Sequence, residues 1–499
     1  MSVNTPFIGR LGQAYAKVEA TYAADVVLAA TDAFRHLDLG LVYSPRNRKN
    51  ASDRLMTPDL RRRITQRATA SFDVRQALMW PSGTLNTPPE LDLFLTHGLG
   101  ARTNVTLATT FAPKPPVAAL DAVAGLVTSG THSWKVTFSD AIGETKPSAK
   151  SNVLTTVEAD HGKATLTIPK GPTGTIKRTI YRTIAGDTGP WKKVADVSDN
   201  TTVTYQDNIA DGAFGVDAPA ADTSMLLTTT GGFVADAGTL AVGDAVLITR
   251  NSVKYPRFVT AVSTTNLTWA PALPTAVMAS EALKGGVTYK PATNPASSIT
   301  IAHYLAMDAG GGAQTFTREL KGCVVDKLTM DFDANEEPTI SLSGPARNQV
   351  RPAQATPGAF TTIGTAIPSG ISGELLVSGT AYPFLKAQIG LINEMVLRNA
   401  EYGTSQANGF YRRGRRVVDI SIDAYVEDPA PLYAFGESTV TVPILLQTGM
   451  TEGQIWAVYC PLVEFELPTT PDNLEELQWS FKGIALGNNG NDEVYLAAL

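Results

Sequence analysis

Short runs of alternating apolar and polar residues recur along the chain. Trp134–Phe138, Ala164–Ile168 and Val417–Ile422 each place every second side chain on one face, the period of a strand with one buried side. Gly243–Thr249, Arg257–Val262, Asn266–Ala270 and Leu477–Phe481 are strand-like too. Gly, Asn, Asp and Pro punctuate these runs as turns do, which predicts a mainly β chain with antiparallel sheets. Helical signals are few. Thr87–Leu95 combines a Thr cap, early prolines and an apolar face of Leu91, Phe94 and Leu95, ended by His97 and Gly98. Ala14–Phe34 has mixed periodicity and fits either strand or helix.

Landmarks along the chain occur twice in one order. Arg62-Arg63 precede Ser71-Phe72-Asp73-Val74, and Arg412-Arg413 precede Ser421-Ile422-Asp423-Ala424 at the same spacing. Cys323 leads to Ser341–Gly344 as Cys460 leads to Ser480–Gly483. This order points to an internal duplication. Far more chain separates Arg63 from Cys323 than Arg413 from Cys460, so the first copy is read as interrupted. The expected division is a first domain over 1–117 resumed at 295–350, and a second copy over 351–499. Two inserts lie between: a β-sandwich over 118–212, entered through Pro113–Pro116, and a small β-unit over 219–292. Gln354–Gly364 is small and polar, as a linker should be.

Charge and composition narrow the function. The 499 residues carry a net charge of -6, which weighs against a protein whose main task is to grip nucleic acid. The two cysteines, Cys323 and Cys460, are too few for a disulfide scaffold and read as buried free thiols. The first residues lack a signal-peptide pattern, and no apolar run is long enough to span a bilayer. Synthesis in a reducing cytoplasm, with no membrane insertion, is therefore expected.

Catalytic constellations are absent from the sequence. His36, His97, His132, His161 and His303 lack metal-ligand spacing, and no G-x-S-x-G elbow occurs. Gly98-Leu-Gly100 and Gly171–Gly174 do not complete a dinucleotide or phosphate loop. Asp331, Asp333, Glu336 and Glu337, and Glu464, Glu466, Asp472, Glu475 and Glu476, form acidic clusters, and paired carboxylates are the residues a glycosidase uses. Their setting on strands and turns favours solvated surface charge. No catalytic residue, metal or cofactor is expected. Two basic patches remain: Arg61–Arg63 with Arg67, and Arg412, Arg413, Arg415 and Arg416. They lack the interleaved aromatics of a single-strand groove. Their matching places in the repeat make Arg62, Arg63, Arg412, Arg413, Arg415 and Arg416 candidate subunit-interface residues. The polar, basic stretch Tyr43–Asn50 is a candidate loop to a neighbouring assembly layer, through Arg46, Arg48 and Lys49.

Gly322–Ala346 resembles the late strands of tail tube proteins from long, non-contractile bacteriophage tails. Val463–Pro468 and Gly483–Glu493 are similar to the end of such proteins. Gly143–Ser148, Thr179–Thr183 and Thr202–Asp207 resemble an immunoglobulin-like or fibronectin-type module of the kind that decorates phage tails. The resemblance implies β-sandwich or barrel domains with a flanking helix, arranged in rings that stack into a tube conducting DNA from capsid to host. Two copies per chain imply a homotrimer with pseudo-sixfold symmetry. The implied partners are further copies of the chain, tape measure, tail terminator and distal tail proteins, and phage DNA that passes without tight binding. The implied location is the virion tail, with the inserts outside the wall and a net-negative lumen. Two other readings stay open. One is a distal tail or baseplate ring component. The other is a carbohydrate-binding adhesin whose sandwich presents Trp134 and Trp191.

Overall fold

The computed structural model describes residues 12–45, 47–50, 63–77, 84–294, 297–306, 315–351, 372–425, 429–438, 440–468 and 478–499. The chain is mainly β and divides into two compact bodies, 1–103 with 287–498, and 104–286. The expected linker Gln354–Gly364 lies outside the described residues.

In the first body one set of pairings occurs twice. The first run comprises β1 (Gln13–Val18), β2 (Asp38–Ser44), a hairpin of β3 (Asn47–Asn50) and β4 (Arg63–Gln66), β5 (Thr69–Ala77) and helix α1 (Asp92–Leu99). After the second body it resumes with β6 (Ile299–Ala306), β7 (Thr315–Cys323), β8 (Lys327–Asp333), β9 (Thr339–Ala346) and β10 (Asn348–Val350). The second run comprises β11 (Gly373–Val377), β12 (Phe384–Ile392), a hairpin of β13 (Met395–Leu397) and β14 (Phe410–Arg412), β15 (Val417–Tyr425) and α2 (Pro429–Glu437). It ends with β16 (Val442–Thr448), β17 (Trp456–Phe465), β18 (Gln478–Ala485) and β19 (Tyr495–Ala498).

In the first run β1 pairs β6, β6 pairs β7 and β7 pairs β10, while β8 pairs β9, β9 pairs β5 and β5 pairs β2. In the second, β11 pairs β16, β16 pairs β17 and β17 pairs β19, while β17 also pairs β18, β18 pairs β15 and β15 pairs β12. The register matches at the cysteines. Val18, Ile299 and Cys323 sit side by side across three strands, as do Val377, Ile444 and Cys460. Both thiols are free and fully buried, and burial pushes the Cys460 thiol up to about 12. The alignment slips by two residues elsewhere. Phe72 faces Gly344 while Ile420 faces Gly483, so Ser71 corresponds to Asp419 and not to Ser421.

The two runs join in one sheet, because β8 pairs β12 from Lys327–Ile392 to Asp333–Lys386. The shared core holds Leu41, Phe72, Val74, Leu328, Met330, Phe332, Ile340, Leu342, Ile389, Leu391, Ile420, Ile422 and Phe481. Each large side chain here contributes about 1.5–3 kcal/mol by leaving water. The helix predicted over Thr87–Leu95 starts later, at Asp92, and no side chain caps it. Pro88 and Pro89 precede the helix, with Pro89 O accepting from Asp92 N at 2.9 Å, and Phe94, Leu95 and Leu99 form the buried face. The ambiguous Ala14–Phe34 stretch holds strand β1 and a short 3-10 turn.

The second body has two modules. In one, Trp134–Ser139, Lys177–Ile184 and Thr188–Val197 form a sheet. A second sheet of Val117–Asp121, Lys163–Thr167 and Thr204–Asp207 shares its core through Trp134, Leu166 and Ile180. The three segments that resemble an immunoglobulin-like module meet here: Tyr181 Oη donates to Glu144 at 2.7 Å and Arg182 pairs with Asp207 at 2.6 Å. Trp134 is fully buried and donates to Asp207, so it cannot present a sugar platform. Lys135 covers the Trp191 ring at 4.4 Å. The other module is a six-stranded sheet that takes Ala108–Thr110 as its edge, so this sheet begins ahead of Pro113–Pro116. Phe138 of the sandwich packs on Phe233 of this module, and both belong to one core.

Candidate functional site

The joined sheet of the first body has one apolar face and one polar face. Strand alternation sends Leu328, Met330 and Phe332 of β8 into the core and leaves Lys327, Thr329, Asp331 and Asp333 on the other side. Cross-strand register carries this face without a break over β2, β5, β9, β8, β12, β15 and β18. One row runs Asp38, Arg75, Ser341, Thr329, Gly390, Asp419 and Ile484, and Ile484 faces Glu464 of β17. A second runs from Asp331 through Gln388 and Ser421 to Lys482. A third runs from Asp333 through Lys386 and Asp423 to Ser480. A one-residue slip in any strand would exchange its two faces.

The charged groups of this face are Asp38, Asp73, Asp331, Asp333, Asp419, Asp423 and Glu464 against Arg75, Lys327, Lys386 and Lys482. Carboxylates therefore exceed cations. Lys386 stands between Asp333 and Asp423, and Gln388 Nε2 donates to Asp331 at 2.6 Å, so the charges are partly matched in place. Short hydroxyl side chains, among them Ser71, Ser341, Ser343, Thr329 and Ser421, fill the spaces between them. Such a surface binds water well. Among the described residues no cluster of His, Cys, Asp or Glu could hold a metal ion.

The candidate interface arginines separate into two kinds. Arg416 is nearly inaccessible: it pairs with Glu493 at 2.7 Å and donates to Ala292 O at 2.6 Å. Arg412 donates to Thr293 O at 3.0 Å. These two hold the stretch Ala292-Thr293, where the chain re-enters the first body, so each has a role within the chain. Their conjugate groups lie far away in sequence, which hid the role. Arg413 is exposed and pairs with Glu394 at 3.0 Å, and Arg415 is exposed with no partner among the described residues. Of the second patch, Arg413 and Arg415 are thus the exposed members, and Arg412 and Arg416 are the more buried ones. Arg62 and Arg46 lie outside the described residues. Arg63 begins β4, and Arg48 and Lys49 lie on β3, with Lys49 facing Ile64. The expected loop is thus in part the arm of a two-stranded hairpin. Of the acidic groups, Asp472, Glu475 and Glu476 lie outside the described residues.

Buried titratable groups serve the fold. Glu19 accepts from Ser298 Oγ, Thr300 Oγ1 at 2.7 Å and Gly322 N at 2.8 Å, tying β1 to β6 and β7. His36 and His303 stack edge-on with centroids 5.6 Å apart. Burial, the nearby His36 and the charge of Arg318 hold His303 down at about 4. Among the described residues no helix is long and apolar enough to cross a membrane.

Residues 302–454 match the family of phage tail tube proteins, a span from within β6 to just past β16. No curated protein matches the chain.

Proposed function

We propose that this chain is a structural phage tail tube protein, three copies of which close into a pseudo-sixfold ring whose polar sheet face lines the bore. The rings stack into a tube through which DNA passes during ejection. The observation that carries this reading is the single polar face running through both runs of strands. Seven strands and the end of β17 give each chain eight, so three chains supply roughly 24, beyond the 16–18-stranded barrels that leave an aqueous channel. The repeated pairing order supports two equivalent wall segments per chain. The open strand edges support closure by association, since a ring removes edges that would otherwise aggregate.

The charge of the face fits a conduit. DNA carries one negative charge per about 1.7 Å, and each phosphate neutralised by Lys or Arg adds affinity. Contacts that are individually weak would sum over a long tube and arrest the cargo. An excess of carboxylates keeps DNA in water and moving. The β3–β4 hairpin, Arg413 and Arg415 are then candidates for contacts between stacked rings, and tape measure, terminator and distal tail proteins are the expected further partners.

Electron microscopy of the purified chain tests the assembly, with tubes of threefold or pseudo-sixfold rings as the expected result. Single rings that never stack would favour a distal tail component instead. Asp419→Lys with Asp423→Lys tests the bore. Tubes of this variant should retain DNA at low salt and release it as salt rises, while the parent tubes retain none. Equal retention by both would remove the polar face from the lumen.

A further inference from the structure

The join between the two runs of strands is a template for a join between chains. Within the chain, β8 of the first run lies against the outer edge of β12 of the second, with Leu328 opposite Leu391. Both side chains are buried, at 0% and 2% exposure. The seam is fastened just before β8, where Asn393 N donates to Asp326 O at 2.7 Å and Met395 N to Asp326 Oδ1 at 2.6 Å.

Both sides of this seam have counterparts that no further strand pairs with among the described residues. On one side, β12 corresponds to β2. Leu41 pairs Phe72 as Ile389 pairs Ile420, and Phe72 and Ile420 face the matching Gly344 and Gly483. Tyr43 therefore corresponds to Leu391. Strand β2 ends the sheet, pairs only with β5 among the described residues, and leaves Val42 61% exposed.

On the other side, β8 corresponds to the stretch that ends β17. Phe465 faces Gly483, and Glu466 N continues the ladder to Lys482 O at 2.8 Å, which puts Leu467 in the place of Leu328. The helices give the same correspondence independently. A Cβ on Gly98 of α1 would lie 2.9 Å from Leu328 Cδ1, and one on Gly436 of α2 would lie 2.8 Å from Glu466 O and 3.0 Å from Leu467 Cα. Yet Leu467 is 53% exposed where Leu328 is covered.

We propose that Glu466–Pro468 of one chain docks on the outer edge of β2 of a second copy, with Leu467 opposite Tyr43, in the register by which β8 docks on β12. The inference rests on the ring reading above and names its seam. An edge strand offers unpaired backbone groups along one side, and strand addition satisfies them while the side chains set the register. Among the described residues this correspondence gives one such edge and one such stretch, so each copy gives and receives once. This heterologous contact closes when its rotation completes a circle.

Cross-linking reads the seam directly. Directly opposed residues on antiparallel strands hold their Cβ atoms about 4.5–5.5 Å apart, within small adjustment of a disulfide. Tyr43→Cys with Leu467→Cys, assembled and oxidised, should give linked chains up to a closed trimer on a non-reducing gel. Each single variant should stay monomeric there, because Cys323 and Cys460 are buried. Leu467→Arg changes an exposed side chain, so the monomer should keep its melting temperature and lose ring formation. If rings form but the double variant does not cross-link, or Leu467→Arg assembles like the parent, the seam is wrong and the ring reading stands. If the parent forms no rings at all, both fall together.

Discussion

The two bodies of this chain differ in where they place most of their polar groups. The second body takes charge inside. Arg182 and Asp207 are both fully buried, Arg178 donates to Asp199 and to Pro169 O, and Arg257 donates to Pro256 O. His132 is buried between the carbonyls of Thr183 and Thr128. The first body also buries Glu19 and Arg416, but it keeps the core face of its large sheet apolar and turns most of that sheet's polar side chains to a single open face. The difference is instructive. A module that satisfies its polar groups internally needs no neighbour. A sheet with a broad wet face and an unpaired edge is built to be continued.

The largest effect should come from the second body's interior. Arg182→Ala leaves Asp207 buried without its cation, and removing one partner of a buried pair costs about 3–5 kcal/mol. Chemical denaturation should report that loss in the second body, with ring assembly retained. If assembly failed as well, the two bodies would not be independent in the way the contrast claims.

Leu342→Ala strikes the other side. It opens a cavity under the polar face and should cost about 2–5 kcal/mol, this time with loss of assembly. Unfolding followed by tryptophan fluorescence, beside electron microscopy of the same sample, separates this variant from Arg182→Ala.

A smaller effect concerns acid. His303 has its folded pKa lowered to about 4, by burial, His36 and Arg318, from a reference value of 6.5; His36 is lowered by burial against an opposing effect of Asp38. Between those values the unfolded chain binds more protons, so stability rises with pH across that window and is lost as pH falls through it. His303→Gln removes one such group. Its melting temperature should therefore fall less than the parent's between pH 7 and pH 4, and a parallel pair of curves would contradict the assignment.

The smallest effect on assembly should follow the largest change in sequence. Gly100–Asn104 pairs with Val287–Pro291, so the chain leaves and re-enters the first body on adjacent strands. Replacing 105–285 by a short Gly-Ser turn should leave ring formation unchanged in sedimentation. Cutting at 118–212 is a poorer test, because Phe138 and Val136 would be lost from the core they share with Phe233.

Much of this was written locally. Val417–Ile422 reads as a strand by its alternation, and β15 runs there through Tyr425. The matched cysteines do occupy matching registers, each opposite an isoleucine. The arginine landmarks were less reliable. By sequence Arg412, Arg413, Arg415 and Arg416 have one character, and the half-buried carboxylate of Glu493 divides them. Charge without its distant partner carries no information about burial.

The sequence by itself determined that the chain is β-rich and that one side of its alternating strands is apolar. It also determined that one order of landmarks recurs, since period and punctuation act over a few residues. Only the tertiary structure decided which strands become neighbours. Register between β8 and β12, from opposite sides of a long interval of chain, is what merges two polar stripes into one face and leaves Leu467 bare where Leu328 is covered. No local pattern encodes that, because the pairing is fixed by the joint burial of both apolar sides, and a strand shows the same alternation whichever partner it meets.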